Sequence, residues 1–180
     1  TLKNLDAKAI FFVNGHLLHS EENREALKEI YAMGFPIGNH TMNHKDLRTL
    51  SLEEQREEIV PLNDLIEEII GERPKFFRPP FGTYNEDTLD VVHDEGMLHM
   101  NWSYGYDYFE PYQNKERLVE AMVTGKGPEV GVDYSLLKPG ANLLMHDRQW
   151  TNDGLEDIVN GLRDQGYDMV DPHLIKTENE

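Results

Sequence analysis

Two histidines four residues apart, His40 and His44, are the side chains of this sequence best suited to chemistry. They belong to the run Gly-Asn-His-Thr-Met-Asn-His at residues 38–44. Neutral imidazole is the commonest protein ligand for metal ions, and two imidazoles at i and i+4 reach one ion if the backbone makes a helical turn. A solvated loop that carries two unrelated histidines fits the same stretch equally well. Metal binding is therefore a hypothesis that other residues have to support.

Three other polar residues, Arg78, Asp107 and His146, each follow an apolar run of strand length. Each has a simpler interpretation when taken alone. Arg78 could pair with a structural carboxylate, Asp107 could be a turn residue, and His146 could be a satisfied histidine at a strand end. Because the carboxyl ends of parallel strands meet at one edge of a sheet, the succession of such residues predicts a site there with His40 and His44.

Alternating strand and helix patterns must position these residues. Unalternating apolar runs, typical of buried parallel strands, predict six strands at 7–13, 35–38, 76–77, 97–102, 142–145 and 167–170. Helical spacing, N-cap residues and terminal glycines predict helices at 20–34, 51–71, 85–93, 114–122 and 153–165. Residues 1–6 resemble the end of another helix, residues 125–138 a surface loop, and the polar tail after Pro172 is predicted to fray.

The helix predicted at 51–71 has the clearest signals. Ser51 and Glu54 form a capping-box pattern at its start. Pro61 lies inside it and is predicted to interrupt and kink it. The many glutamates of this segment are interpreted as a solvated face. The apolar residues recur at helical spacing and are Ile59, Leu62, Ile66 and Ile69.

The composition excludes several classes of protein. The 180 residues are 38% hydrophobic and 28% charged, which is typical of a globular domain with a sizeable core. Asp and Glu number 34 against 17 Lys and Arg, and the formal net charge of −17 argues against nucleic acid or an anionic membrane surface as a partner. The absence of cysteine excludes disulfides, thiolate catalysis and cysteine zinc sites. No run of 18 apolar residues predicts a membrane-spanning helix.

The order of elements predicts the fold class. Strand and helix alternate without an internal repeat or a linker, which predicts one α/β domain over residues 1–180 with a parallel sheet, open or closed into a barrel. No Gly-x-Gly-x-x-Gly follows the first strand and no Walker A loop occurs, so a nucleotide-binding fold is disfavoured.

Four blocks, in order, resemble those of the polysaccharide deacetylases of carbohydrate esterase family 4, the NodB homology domain. The family's His-[Ser/Thr]-x-x-His block matches residues 40–44, and its Arg-x-Pro-[Tyr/Phe]-Gly block matches residues 78–82. Its Asp-x-x-Asp-[Trp/Tyr] block matches residues 104–108, with Tyr104 in place of the first Asp, and its Leu-x-His block matches residues 144–146. Each block alone is unspecific, but together they extend over essentially the whole chain. The resemblance implies a distorted (β/α) barrel of the NodB type.

The resemblance also implies metal-dependent hydrolysis of an N-acetyl group. His40 and His44 would be two ligands of a divalent metal, zinc first, with cobalt, nickel or manganese as alternatives. His146 would be the general acid, with a metal-bound water as the nucleophile. Asp107 would hold the imidazole of His146 in the right tautomer and favour its protonated form. Arg78 would orient the catalytic base.

The same resemblance places three residues against the substrate. The backbone N–H of Phe81 would donate to the oxyanion, and Tyr108 and Leu144 would be apolar walls around the acetyl methyl group. The other histidines match no block and are interpreted as surface or packing residues: His16, His19, His93, His99 and His173.

The family's first block, Thr-Phe-Asp-Asp-Gly, is missing, and no Asp-Asp pair occurs anywhere in the sequence. The resemblance assigns its first Asp as the catalytic base and its second as the third metal ligand. Because the sequence begins at Thr1 and not at a methionine, we expect that an N-terminal segment with the first strand has been left out. The alternative is a protein that truly lacks this block and hydrolyses poorly or not at all.

The predicted substrate is N-acetylglucosamine in a cell-wall or extracellular glycan, either peptidoglycan or a chitin-like polymer. The predicted location is accordingly extracellular or at the cell envelope, although no signal peptide is visible at Thr1. The oligomeric state is not predicted. Two alternatives stay open. One is an acetylxylan O-deacetylase, and the other is a catalytically silent carbohydrate-binding domain whose aromatic loop stacks on sugar rings through Tyr104, Tyr106, Tyr108 and Phe109.

Overall fold

The computed structural model describes residues 1–177, which form two compact units. The first, the sheet unit, comprises Ala9–Asn101 and the segment that begins at Asp171. The second, the helix-pair unit, comprises Thr1–Lys8 and Trp102–Val170. The predicted metal-binding histidines belong to the sheet unit, and the predicted general acid belongs to the helix-pair unit.

Four short parallel strands form the sheet. They pair in chain order and are β1 Phe11–Val13, β2 Ile37–Asn39, β3 Phe76–Phe77 and β4 Leu98–His99. Val13, Asn39, Phe77 and His99 lie opposite one another in register. His40 and Arg78, the next residues of β2 and β3, therefore leave the sheet at one edge. The first four predicted strands are confirmed in shorter form, as is the prediction of an α/β fold with parallel strands.

Three helices connect these strands and supply the core of the sheet unit. They are α1 Glu21–Ala32, α2 Leu52–Ile70 and α3 Glu86–Asp94. The hydroxyl of Ser20 caps α1 by accepting from the Asn23 N–H at 3.2 Å. Short 3₁₀ turns lie at Gly15–His19, Leu47–Thr49, Pro80–Gly82 and Pro172–Leu174. The predicted frayed tail has an ordered turn at its start, and residues 178–180 lie outside the described residues.

The central helix α2 forms as predicted at its ends and along its apolar face. Ser51 and Glu54 cap each other's backbone N–H groups, and Gly71 ends the helix with a left-handed φ of 78°. Ile59, Leu62 and Ile66 are fully buried. The predicted interruption at Pro61 is wrong, because the helix continues through it. Proline removes only one backbone hydrogen bond, and the buried apolar face compensates for that loss.

The helix-pair unit is organised by α4 Lys115–Thr124 and α5 Gln149–Asp164. Gly154 and Gly161 of α5 lie against Val119 and Val123 of α4. A Cβ atom at either glycine would lie 3.0 or 2.8 Å from a valine methyl carbon, so the two glycines permit this close approach. The buried core around the helices includes Leu118, Met122, Ile158, Leu162 and three tyrosines, Tyr104, Tyr106 and Tyr112. Two 3₁₀ turns lie at Glu110–Tyr112 and Pro128–Val130.

Several predictions in this unit are wrong. The strand expected at 142–145 is reduced to one isolated parallel bridge between Tyr104 and Leu143, and residues 167–170 form no strand. Residues 1–6 form turns and not the end of a helix. Helix α5 begins at Gln149, four positions before the predicted start at 153. Periodicity alone does not separate a short extended segment from a paired strand, which explains the first two errors.

The capping box of α2 yields a test of stability. Ser51→Ala is expected to lower the free energy of unfolding by about 1 kcal/mol, because the Glu54 N–H loses its side-chain partner. Ser51→Thr keeps a hydroxyl at this position and should retain most of the stability. Urea unfolding followed by circular dichroism measures both changes, and equal loss in the two variants would show that the hydroxyl has no capping role.

Candidate functional site

His40 follows β2 directly, and its imidazole orientation is fixed by hydrogen bonding. Its backbone N–H donates to the carbonyl of Val13 at 3.0 Å, which extends the strand pairing by one residue. Its Nδ1 lies 2.6 Å from the carbonyl oxygen of Arg78. A carbonyl only accepts, so Nδ1 carries the proton and Nε2 keeps the lone pair that a metal ion requires.

The second histidine lies next to the first. The ring centres of His40 and His44 are 4.9 Å apart with planes at 69°, and the centre of the Phe81 ring lies 4.8 Å from that of His44. The helical turn that this spacing would require does not form. Instead Thr41 and His44 adopt left-handed φ angles of 71° and 57°, which bend the chain so that the two imidazoles meet. Such conformations cost on the order of 1–3 kcal/mol each in a residue other than glycine, so the surroundings must hold them.

A network of hydrogen bonds holds this bend. The Thr41 hydroxyl accepts from the His44 N–H at 3.1 Å, and the Thr41 N–H donates to the side-chain oxygen of Asn39 at 2.8 Å. The amide nitrogen of Asn39 donates to the Ile59 carbonyl at 2.8 Å and to Asn63 at 2.7 Å. Asn39, Thr41 and Asn63 are fully buried. The bend is thus attached to the interior of α2.

One glutamate of α2 contradicts the prediction of a solvated acidic face. Only 3% of the Glu58 side chain is exposed, and its carboxylate accepts from both the backbone N–H and the amide of Asn43, at 2.8 and 2.9 Å. Lys45 lies 3.0 Å from the same carboxylate. Burial opposes ionisation, but the hydrogen bonds from Asn43 and Lys45 outweigh it and hold the pKa of Glu58 below its usual value. Helical periodicity did not reveal this residue because its partners come from a distant loop.

The histidine pair fits two positions of a metal site. Tetrahedral catalytic zinc sites use three protein ligands, commonly imidazoles with one carboxylate. Among residues 1–177, no group of three or more His, Cys, Asp or Glu side chains is placed to hold one ion. His40 and His44 could supply two nitrogen ligands, and the described residues do not supply a third.

Arg78 is buried at the same sheet edge. Its Nε donates to the Met100 carbonyl at 3.0 Å, and its guanidinium carbon lies 4.4 Å from the centre of the Phe12 ring. Burial lowers the pKa of Arg78 to about 10. Phe81 belongs to the same block of residues 78–82 as Arg78. It has a left-handed φ of 59° and is 62% exposed. This conformation places an aromatic side chain in solvent beside His44.

In the helix-pair unit, Asp107 and His146 form a fixed pair. Asp107 is fully buried, and its Oδ1 lies 2.8 Å from Nδ1 of His146. Its Oδ2 accepts from the backbone N–H of His146 and from the hydroxyl of Thr151. The indole N–H of Trp150 donates to the Asp107 carbonyl at 2.9 Å. No sequence pattern indicates Thr151 or Trp150, because their contacts with Asp107 depend on where α5 begins.

The geometry leaves one nitrogen of His146 for proton transfer. Because the carboxylate of Asp107 accepts from Nδ1, Nε2 is the nitrogen that can exchange a proton. The side chain of His146 is 44% exposed, whereas Asp107 is not exposed at all.

Tyr108 is 46% exposed, and the centre of its ring lies 5.7 Å from that of the His146 imidazole, with the ring planes at 81°. Leu144 is buried, and its N–H donates to the Tyr104 carbonyl.

The predicted sugar-stacking loop is wrong for two of its four aromatic residues. Tyr104 and Tyr106 are buried, and their hydroxyls donate to the carbonyls of Met122 and Gly125. Burial raises the pKa of Tyr106 to about 12 and that of Tyr104 further. These rings belong to the core of the unit. Tyr108, which stacks on Phe109 with ring centres 4.3 Å apart, keeps an exposed face.

The remaining histidines occupy surface or packing positions, as predicted. Four of them are exposed, namely His16, His19, His93 and His173. His99 is half-buried against the ring of Tyr84, with centres 4.4 Å apart, and burial lowers its pKa. In the part of the chain that the structure describes, no helix is long and apolar enough to cross a membrane.

Comparisons with known proteins agree with this architecture. The polysaccharide deacetylase family model matches residues 1–99. A peptidoglycan-N-acetylglucosamine deacetylase of Bacillus cereus is 32% identical over 171 residues, which cover 94% of this chain and 75% of that protein. The peptidoglycan-N-acetylmuramic acid deacetylase PdaC of Bacillus subtilis is 29% identical over 94% of this chain and 33% of its own length. Its solved structure has a TM-score of 0.76 over 96% of this chain.

One of the similar solved structures is that of a pseudoenzyme. A CE4 family pseudoenzyme from Bacillus anthracis is 26% identical, with a TM-score of 0.83 over 96% of this chain and 56% of that chain. A mutant of the same pseudoenzyme with restored enzymatic activity also has a TM-score of 0.83. The fold of carbohydrate esterase family 4 is therefore shared by silent and active proteins.

The match extends over only part of most relatives. The chain spans about half the length of the curated relatives that it matches, from 26% of a bifunctional xylanase/deacetylase of Pseudobutyrivibrio xylanivorans to 75% of the Bacillus cereus enzyme. Within its own length, more than half of the chain matches the family model, and 94% of it aligns with a relative that is 32% identical. The chain therefore belongs to the polysaccharide deacetylase family.

Proposed function

We propose that this chain removes the acetyl group from N-acetylglucosamine residues of a cell-wall or extracellular glycan. The pairing of a buried carboxylate, Asp107, with a half-exposed imidazole, His146, carries the proposal. Amide hydrolysis needs a proton donor for the departing amine, and a carboxylate-oriented imidazole is the commonest such donor. Peptidoglycan lies outside the cell membrane, so a protein that acts on it would be secreted or attached to the envelope.

A divalent metal ion would be held by His40 and His44. Zinc suits imidazole ligands best, and cobalt, nickel and manganese are alternatives. When bound, such an ion polarises a carbonyl and lowers the pKa of water. A third protein ligand is still required, and the family resemblance assigns it to the Asp-Asp block that residues 1–180 lack. The hydrogen bond from Nδ1 of His40 to the Arg78 carbonyl supports this role, because it leaves Nε2 unprotonated.

The residues of the chain would then divide the remaining steps. His146 would donate its Nε2 proton to the nitrogen of the departing glucosamine, and Asp107 would stabilise the imidazolium that precedes this transfer. The N–H of Phe81 would donate to the developing oxyanion. Arg78 would orient the catalytic base that the family resemblance assigns to the Asp-Asp block. Tyr108, together with Leu144, would border the acetyl methyl group.

The choice of substrate rests on the relatives. The names of the Bacillus cereus and Bacillus subtilis relatives specify peptidoglycan, with N-acetylglucosamine in one case and N-acetylmuramic acid in the other. N-acetylglucosamine is the better candidate here, because N-acetylmuramic acid adds a carboxylate and this chain has a formal net charge of −17.

A catalytically silent glycan-binding domain is the second candidate. Two observations favour it: the described residues lack a third metal ligand, and the Bacillus anthracis pseudoenzyme has the same fold. In this case Tyr108 would be the sugar-stacking ring, since it is the exposed member of the aromatic loop beside His146.

Replacement of the proposed general acid tests the reaction. His146→Ala in the native-length protein is expected to lower kcat by about 10²- to 10⁴-fold with little change in KM, because proton donation occurs only during bond cleavage. Acetate release from N-acetylglucosamine oligomers measures both constants. His19→Ala, at an exposed position outside every block, is the matched control and should keep full activity. Unchanged kcat in His146→Ala would remove the proposed role.

Removal of the metal tests the histidine pair. A chelator is expected to abolish acetate release from peptidoglycan, and added Zn²⁺ should restore it. His44→Ala should prevent this restoration, whereas His19→Ala, at an exposed histidine, should not. Activity that survives chelation would exclude metal dependence.

Titration with glycans separates the two candidate functions. A silent domain is expected to bind N-acetylglucosamine oligomers without releasing acetate, and Tyr108→Ala should weaken this binding several-fold because the exposed ring is lost. Calorimetry and an acetate assay on one sample of the native-length protein provide both readings. Measurable acetate release would eliminate the silent candidate.

A further inference from the structure

The loop that carries the two histidines is held by a residue that belongs to none of the family's blocks. Glu58 lies in the middle of α2, on the buried side of the helix. Its two carboxylate oxygens accept from the same neighbour: Oε2 from the backbone N–H of Asn43 and Oε1 from the Asn43 side-chain amide. Asn43 directly precedes His44, so this two-point contact fixes the chain where the second imidazole begins.

The backbone of α2 makes additional contacts with the same loop. The carbonyl of Glu58 accepts from the Met42 N–H at 2.8 Å. The carbonyl of the next residue, Ile59, accepts from the side-chain amide of Asn39. Side chain and backbone of one short helix segment thus hold the loop on both sides of His40.

This support is needed because the loop is strained. Thr41 and His44 have left-handed φ angles, which non-glycine residues adopt only when their surroundings impose them. Between these two residues lie Met42 and Asn43, and both donate their N–H groups to Glu58. Glu58 therefore acts on the segment between the two strained positions.

A direct role for Glu58 as a metal ligand does not fit the contacts. Both carboxylate oxygens are occupied by Asn43, Oε1 is also 3.0 Å from Lys45, and only 3% of the side chain is exposed. Coordination of an ion would require these hydrogen bonds to break. A positioning role requires no rearrangement.

We propose that Glu58 is a positioning residue that holds the His44 imidazole beside that of His40, so that both can bind one divalent metal ion. The proposal rests on the proposed metal-dependent function. It adds to that function a residue that lies 14 positions from His44 in the sequence and that sequence patterning assigned to a solvated face. Residues that orient metal ligands through hydrogen bonds typically change metal affinity by about 10- to 100-fold when they are replaced.

The central experiment measures Zn²⁺ affinity of the native-length protein by competition with a chelating dye. Glu58→Gln keeps the shape of the side chain but loses one of its two acceptor oxygens, and it is expected to weaken Zn²⁺ binding by about 10- to 100-fold. Glu57→Gln changes the same charge on the neighbouring exposed position of α2 and should leave the affinity within about twofold of wild type. Lys45→Met removes the ion pair alone and should likewise leave the affinity within about threefold of wild type.

A second measurement separates this proposal from failure of the metal hypothesis. Hydrogen exchange of the backbone N–H of Asn43 reports directly on its bond to Oε2 of Glu58. Nuclear magnetic resonance measures this exchange in the absence of metal. We expect faster exchange at Asn43 in Glu58→Gln and an unchanged rate in Glu57→Gln. If wild type binds no Zn²⁺ but this pattern holds, the metal site is wrong and the positioning of the loop is correct.

The proposal has clear failing outcomes. It is overturned if folded Glu58→Gln binds Zn²⁺ as tightly as wild type, or if its Asn43 amide stays as protected as in wild type. If Glu58→Gln does not fold, Asn43→Ala decides, because it removes one of the two contacts from the loop side. That variant should weaken Zn²⁺ binding by about 3- to 10-fold, and an unchanged affinity would overturn the proposal.

Discussion

The sheet unit depends on how the chain leaves β2, where a fully buried amide must find hydrogen-bond partners. Asn39 ends the strand, and its side chain bonds to Ile59, Asn63 and Thr41. An unpaired buried amide costs about 1–3 kcal/mol per lost partner, so α2 and the loop after β2 are constrained to meet at this point. Because His40 is the next residue, a requirement of the core determines the path of the chain through the candidate metal site.

The helix-pair unit satisfies the same requirement with a carboxylate. Asp107 is buried and receives hydrogen bonds on its side chain from His146 and Thr151 and on its carbonyl from Trp150. A buried ionised group is tolerated only when it is paired and hydrogen-bonded. His146 cannot rotate away without leaving the carboxylate under-bonded. In each unit, therefore, the groups that could do chemistry are oriented by buried polar residues that cannot be left unpaired.

Sequence patterning predicted the parts of the fold that local rules control. The capping box of Ser51 and Glu54, the apolar face of α2 and the first four parallel strands depend on neighbours along the chain, and all of them form. The path at 142–145 could not be predicted, because one bridge to Tyr104 replaces a strand. Gly105 belongs to that contact: a Cβ atom there would lie 2.5 Å from the Leu144 carbonyl oxygen.

In the candidate site, too, some features follow from local sequence and others depend on distant contacts. Residue types and order identified the histidine pair, but the backbone brings His40 and His44 together through two left-handed residues and not through a helical turn. Glu58 was assigned to a solvated face because its charge suits a surface and its partner Asn43 is 15 residues away. Tyr104 is a sugar-stacking residue only under the alternative of a silent glycan-binding domain, and the structure places it in the core instead. Such long-range partners leave no local signal.

The arrangement around Asp107 also bears on the choice between a deacetylase and a silent glycan-binding domain. Burial of a carboxylate beside a half-exposed imidazole is a weak way to stabilise a fold, because apolar residues of similar volume do so as well or better. Glycan binding through an exposed ring such as Tyr108 does not require it. An oriented imidazole whose Nε2 can exchange a proton is instead what hydrolysis requires. The fold is compatible with a deacetylase and with a silent domain, because a pseudoenzyme shares this architecture. The function therefore has to be argued from these residues. The Asp107–His146 pair therefore favours catalysis, and the candidate functions differ chiefly in whether a third metal ligand joins the two histidines.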